Sequence, residues 1–511
     1  MGATHRPAVR QYLLAQHLHH VQWSGLNPRC VTGTSPLPSC ARAGCIALLA
    51  VIALLPGCNS RGTTAIAGPA PDFRADPFLD TLENRTFSWF WETTNPTNGL
   101  IPDRWPTQSF SSVAAIGFGL TAYPIGVERG YVSRADARAR VRTTLTFLYQ
   151  APQGPAATGV TGYKGFYYHF LDMNTGLRFQ QVELSTIDTA LLLGGILVCR
   201  EYFTGSDSDE TAIRALADSI YSRVDWTWAS PNAPLVSMGW HPESNFIAAD
   251  WRGFNEAMLL YVLALGSPTH PIDSTAWNQW TSTYQWNTFY GQAHVNFAPL
   301  FGHQYSQLFI DFRGIQDAYM RARNIDYFEN SRRATLSQRA YAIDNPSKFR
   351  DYGADIWGLT ASDGPLDTTM VVAGVTRQFH TYNARGAAAN DIRDDGTIAP
   401  TAAAGSIAFA PEIVVPALKA MRAKYGDPLF GQYGFLDAFN PTYDNASVRV
   451  QQGRVVNGVG WFDTDYLGID QGPIVGMIEN YRTGLIWRLM RQSPYIRRGL
   501  QRAGFTGAWL Q

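Results

Sequence analysis

A surplus of charge, a cysteine framework, metal-ligand spacing and long apolar runs are all missing from this 511-residue chain. Each absence removes a class of function. Lysine plus arginine number 41 and aspartate plus glutamate 41, so the positive footprint that holds a phosphate backbone is absent. That excludes nucleic acid as a partner and makes a neutral polymer the easier one. Of the five cysteines, Cys30, Cys40, Cys45 and Cys58 lie in or beside the first apolar run and Cys199 lies far beyond it, which leaves no internal disulfide framework after processing. The ten histidines, among them His169, His241, His294, His303 and His380, show no tight ligand spacing and meet no cysteine cluster, so no metal site is expected. The 46 glycines form neither a strand-linked GxGxxG nor a GxxxxGK[ST] loop, and no cofactor is expected.

What is present begins with an export signal. The run from Cys45 to Leu55 is too short to span a bilayer as a permanent helix, but it suits a signal h-region behind Arg42. Leu55-Pro56-Gly57-Cys58 resembles a bacterial lipobox, with Pro56 an unusual residue for its slot. Cys58 is the lipidation candidate, with ordinary cleavage nearby as the alternative. The stretch before Arg42 is long and His-rich for an n-region, which points to an internal start near Val31. Asn59 to Pro71 is small, polar and Pro/Gly-bearing, as a tether is. We therefore expect 1–57 to be an over-long N-terminus with a lipoprotein-type signal, 58–75 a flexible tether, and 76–511 one folded domain. The protein would be exported to the periplasm or outer membrane and would meet a membrane only through its lipid anchor.

Hydrophobic residues at 45% and charged residues at 16% describe a chain with a large core. The load of 15 Trp, 24 Tyr and 27 Phe also offers faces on which sugar rings stack. Asp76-Pro77 opens a helix carrying Phe78, Leu82, Thr86 and Phe90, and Ser133 and Ser206 open amphipathic helices. Thr189 to Val198, Glu256 to Leu265 and Pro473 to Leu489 are instead apolar nearly all round, as doubly buried helices are. Between the helices run long connections rich in Gly, Pro, Trp and Asp, of the kind that carry function. The pattern predicts an all-α fold and suits an inner ring of helices surrounded by an outer ring, with long loops at one mouth. An irregular helical bundle is the alternative, because periodicity finds helices without closing a ring.

Cleaving a glycosidic bond needs one protonated carboxyl to assist the leaving oxygen and a second carboxylate to activate water or attack. Glu183 stands just before a buried helix whose cap is Ser185 or Thr186, outside the positions that stabilise a helix start, while Asp188 has that bland role available. Flanked by Val182 and Leu184, the Glu183 carboxyl would be partly desolvated, as a general acid requires. Asp103, between Pro102 and Arg104-Trp105, could join an acid, a cation and a stacking ring on one loop. Asp363 sits in a turn-rich segment with Trp357 nearby as a glucose platform, and it ranks ahead of Asp103 as the base. Asp355, Asp367 and Asp391 remain open. Arg104, Trp105, His169, Trp240, Glu256, Trp357, Glu412 and Asp470 are the substrate-binding candidates; Glu256 and Glu412 stand at helix starts, and Asp470 or Gln471 is the expected cap before Pro473.

Seven segments stand out together: Thr97 to Trp105, Glu183 to Leu191, Asn255 to Pro271, Tyr305 to Arg313, Tyr352 to Pro365, Asp395 to Pro411 and Ile469 to Asn480. In this order, from about Phe78 to about Arg491, they resemble the glycoamylase-like domain, whose hydrolase members form glycoside hydrolase family 144, the bacterial β-1,2-glucanases. The resemblance implies an (α/α)6 toroid, a double ring of helices with long active-site loops at one face, action on β-1,2-glucan with inversion, and Glu183 as the acid. Two other classes compete. A polysaccharide lyase would want cationic groups for a uronate, which the neutral balance disfavours, and a non-catalytic glucan-binding lipoprotein would keep the aromatic platform without needing the acid.

Overall fold

The first five long helices among the described residues start where a side chain satisfies the first free N–H groups. In the computed structural model, which describes residues 71–511, α1 (Pro77–Thr93) begins where Asp76 accepts from the Phe78 N–H and Pro77 fills the first position. The signal, Cys58 and the tether as far as residue 70 lie outside the described residues. The end of the expected tether is folded: the Phe73 N–H donates to the Tyr481 hydroxyl at 3.0 Å. Ser112, Ser133, Ser185 and Asp207 cap α2 (Val113–Glu128), α3 (Arg134–Gln150), α4 (Thr186–Tyr202) and α5 (Ser208–Ser222). There follow α6 (Met258–Gly266), α7 (Phe301–Phe309), α8 (Tyr327–Asp344), α9 (Pro400–Ala404), α10 (Pro411–Tyr425), α11 (Gly468–Arg482) and α12 (Pro494–Arg502).

Two populations of helix are present, as the patterning predicts. Helices α2, α4, α6, α7, α9 and α11 are buried on every side over most of their length. Of these, α2 packs on α4, α4 on α6, α6 on α7, α9 on α11, and α11 back on α2. The remaining neighbours, α7 and α9, meet where the Gln304 amide donates to the Ala402 carbonyl at 2.8 Å. The half-exposed helices cover this set: α1 on α2 and α11, α3 on α2, α5 on α4, α8 on α7, α10 on α9, and α12 on α6.

At the α2–α4 crossing the backbones touch. A Cβ on Gly195 would lie 1.9 Å from the Gly117 carbonyl oxygen, and one on Gly117 would lie 2.3 Å from that of Leu191. This approach explains glycine inside α4 despite its cost of about 0.5–1 kcal/mol against alanine. Gly195→Ala should therefore destabilise the fold by about 1–3 kcal/mol, the range for overpacking. Urea denaturation checks it, and an unchanged midpoint would contradict the crossing.

The connections depart from the all-α expectation. Among the described residues they contain 22 strands, none longer than five residues, paired antiparallel in small sheets. Such pieces are too short for a period of two to be legible among glycines and turns. They matter because they lead into buried helices. Ser111–Ser112 enters α2 and pairs with Phe170–Leu171, Leu184–Ser185 enters α4 and pairs with Phe166–Tyr168, and Tyr466–Leu467 enters α11 and pairs with Arg104–Trp105. The N-termini of α2, α4 and α11 thus open on one layer of short strands.

Candidate active site

On one wall of that layer, strand pairing makes His169 and Glu183 neighbours. Tyr168 lies opposite Leu184, and the His169 N–H donates to the Glu183 carbonyl at 2.9 Å. Their side chains meet as well, with His169 Nδ1 2.8 Å from Glu183 Oε1. On the other side of the ring, Nε2 stands 3.6 Å from Asp188 Oδ2 in the first turn of α4. Ser185 fixes Asp188 by accepting from its N–H and donating to its carboxylate. Burial alone would neutralise His169, but Asp188, Glu183 and Asp103 outweigh it and raise its pKa to about 9. The imidazole is therefore protonated at neutral pH. Glu183 itself is buried, and the side chain that meets its carboxyl is His169.

The second wall is built around Arg104. Its Nη1 lies 2.8 Å from Asp363 Oδ2 and 3.5 Å from Asp465 Oδ2, and its Nε lies 3.5 Å from Asp103 Oδ2. Gln452 donates to the same Asp363 oxygen at 3.2 Å, and the Asp363 N–H donates to Asp437 Oδ2 at 2.7 Å. Asp463 is held by the N–H groups of Thr464 and Asp465. Asp363, Asp437 and Asp463 each bring an oxygen within 4.8 Å of the others, a spacing that a cation could bridge, and Arg104 already faces this nest. Burial followed by mutual repulsion raises Asp437 and Asp463 well above the usual carboxylate range. Burial likewise pushes Asp470 up to about 7, with Asp363 and Asp103 adding to it, and Glu256 up to about 7, with Asp188 adding to it. The site therefore holds several buried carboxyls that keep their protons well above the ordinary carboxylate range. A carboxyl protonated near neutral pH is what general acid catalysis requires.

The structure brings together Asp103, Arg104, His169, Glu183, Asp363 and Asp470 in these two walls. Asp103 links them, since its charge raises His169 on one side and Asp470 on the other. Trp240 pairs across from Leu184 and packs on Tyr163 and Trp228, next to the Glu183 wall. Trp105, beside Arg104, is 38% exposed.

Other assignments are corrected. Trp357 has no exposed surface and belongs to the core, so it is not a glucose platform. Glu412 begins α10, a half-exposed outer helix rather than an inner one, and pairs with Arg332 of α8. Asp470 is not a cap: α11 starts at Gly468 and runs through Pro473, so Asp470 occupies its first turn. Glu256 precedes α6, which begins at Met258. Asp355 is exposed, Asp367 accepts from Thr381, and Asp391 pairs with Arg393. Asp437, Asp463, Asp465 and Tyr382 escaped the sequence reading. The Tyr382 hydroxyl is raised by burial and then by Asp470, Asp437, Asp103 and Asp363, which sets it among them. Each stands in a short loop without a motif, Asp463 and Asp465 two residues apart in the same one.

With this geometry in hand, comparison with known proteins is specific. Residues 248–494 match the glycoamylase family model, described as "Putative glucoamylase". A solved structure from Bacteroides caccae under the same description is 32% identical, covers 85% of this chain and 100% of its own, and superposes with a TM-score of 0.71. An endo-beta-1,2-glucanase from Chitinophaga pinensis, solved with sophorotriose and glucose, is 29% identical over 85% of this chain and 99% of its own, with a TM-score of 0.72. A curated relative from Parabacteroides distasonis, an exo beta-1,2-glucooligosaccharide sophorohydrolase acting at the non-reducing end, is 28% identical over 478 residues. That match takes in 87% of this chain but only 60% of the relative's length.

Proposed function

Because the chain belongs to the glycoamylase-like family, we propose that it is a glycoside hydrolase that cleaves β-1,2-glucan to sophoro-oligosaccharides with inversion at the anomeric carbon. The observation that carries the mechanism is the pair of unlike walls joined through Asp103: a carboxylate sharing a proton with a buried imidazole on one, and a carboxylate held by a guanidinium on the other. In this reading the Glu183–His169 pair, which holds a transferable proton through neutral pH, supplies the proton to the leaving glycosidic oxygen. Asp363, kept next to the positive charge of Arg104, takes a proton from water as it attacks the opposite face of the sugar. Trp105, the exposed ring beside Arg104, serves as a sugar-stacking surface, while Trp240 is buried behind the Glu183 wall.

The helix order supports an (α/α)6 toroid, with α2, α4, α6, α7, α9 and α11 as the inner ring and α1, α3, α5, α12, α8 and α10 outside it. Export as a lipoprotein through Cys58 belongs to the same proposal and rests on the 45–58 sequence pattern. The curated relative favours a second reading, exo-acting release of sophorose. Incubation with linear β-1,2-glucan tests both: new reducing ends of mixed length are expected from internal cutting, and sophorose alone from terminal cutting. In either case the new ends should appear first as the α-anomer by proton NMR. Unsaturated ends would make the protein a lyase, and no new ends would make it a binding protein.

A further inference from the structure

Asp363 lies where two chain segments are locked by one buried guanidinium. Ala361 and Ser362 pair with Ala384 and Asn383, and the following residue, Arg385, turns beneath the Asp363 loop. Arg385 is 1% exposed. Its Nη1 donates to the carbonyls of Ser362 at 2.7 Å and Asp363 at 3.3 Å, and its Nη2 to those of His380 and Thr381, both at 3.1 Å. Its Nε and Nη2 reach Asp395 Oδ1 and Oδ2 at 2.7 and 2.8 Å. Asp395 in turn accepts from the N–H of His380 at 3.1 Å and of Thr397 at 3.0 Å. Such a web uses the planar fork of five donors that arginine alone carries, whereas lysine has three on a flexible stem. Gly364 is independent evidence that the guanidinium must sit there. A Cβ at that position would lie 2.3 Å from Arg385 Nη2 and 2.2 Å from the His380 carbonyl.

We infer that the buried Arg385–Asp395 pair is a positioning device for the general base: it holds the backbone of residues 362 and 363 while Arg104 and Gln452 orient the Asp363 carboxylate. The inference rests on Asp363 being the base. Displacing a catalytic group by about 1 Å can cost roughly a hundredfold in rate. The pair would therefore act on turnover and leave sugar binding alone.

The test measures kcat and KM on linear β-1,2-glucan together with thermal melting. Removing one charge strands the other in the interior, so the main variant is Arg385→Met with Asp395→Leu, which removes both. The double variant strands no charge but leaves the backbone groups that the pair satisfied without partners, so it should stay folded with a lowered melting temperature, lose about a hundredfold in kcat and keep its KM. Arg385→Lys should fall between, and Gly364→Ala, which pushes on the guanidinium without removing it, should lower kcat with KM unchanged. If the double variant does not fold, these last two decide. A folded variant with wild-type kcat, or kcat and KM falling together in step with melting temperature, would overturn the inference. The parallel Asp363→Asn variant separates the failures. Retained turnover there removes the base assignment, and with it the clamp, whereas lost turnover beside an active, folded Arg385→Met/Asp395→Leu variant refutes the clamp alone.

Discussion

Glu183→Gln is expected to lower turnover of β-1,2-glucan at neutral pH by about a hundredfold or more, the usual worth of general acid assistance, with the melting temperature little changed. The glutamine keeps the shape of Glu183 and can still meet His169 Nδ1, now 2.8 Å from Oε1, but it cannot pass a proton. Wild-type activity carries a companion signature. Because the carboxylates around His169 raise its pKa to about 9, the proton shared with Glu183 is retained through neutral pH and lost above about 9, so kcat/KM should fall on that alkaline side. The same shift makes a stability statement. The imidazole's ion pairs contribute fully below the ordinary histidine value and fade as pH rises toward about 9. Near-normal turnover in Glu183→Gln would reassign the acid, and Glu256, pushed up to about 7 by its burial, would be the next carboxyl to replace.

Arg104→Met should be damaging in two measurable ways. Arg104 is 5% exposed and stands beside Asp363, Asp465 and Asp103, so its loss leaves buried carboxylates without that counter-charge. Breaking a buried pair from one side typically costs about 3–5 kcal/mol, to be read as a drop in denaturation midpoint at pH 7. Turnover should fall as well, by about a hundredfold, because a base deprived of its partner ion takes up a proton and is no longer ready to accept one from water. Arg104→Lys restores the charge without the fork and should recover part of the stability and less of the rate. Wild-type stability and turnover in Arg104→Met would show that the Asp363 wall does not depend on this guanidinium.

Apolar periodicity and capping residues are local, so the chain alone placed α1, α3 and α4 closely and separated buried helices from half-exposed ones. Glu412 was misassigned because a carboxylate at a helix start looks the same on an inner and an outer helix. Trp357 was misassigned because an aromatic ring in a turn-rich stretch gives no sign of which way it points. The short strands that enter α2, α4 and α11 fell below any detectable period, although they aim the site.

The sequence by itself determined a helix-rich domain, the family it resembles and three carboxyls worth testing, since each of these is written in neighbouring residues. Tertiary structure alone decided that the His169 ring meets the Glu183 carboxyl, that Arg104 meets Asp363 across 259 positions, and that Asp437, Asp463 and Asp470 crowd around it. Charge interactions strong enough to set protonation depend on distances of a few ångströms in a low-dielectric interior, and the folded chain creates those distances between segments that no local pattern connects.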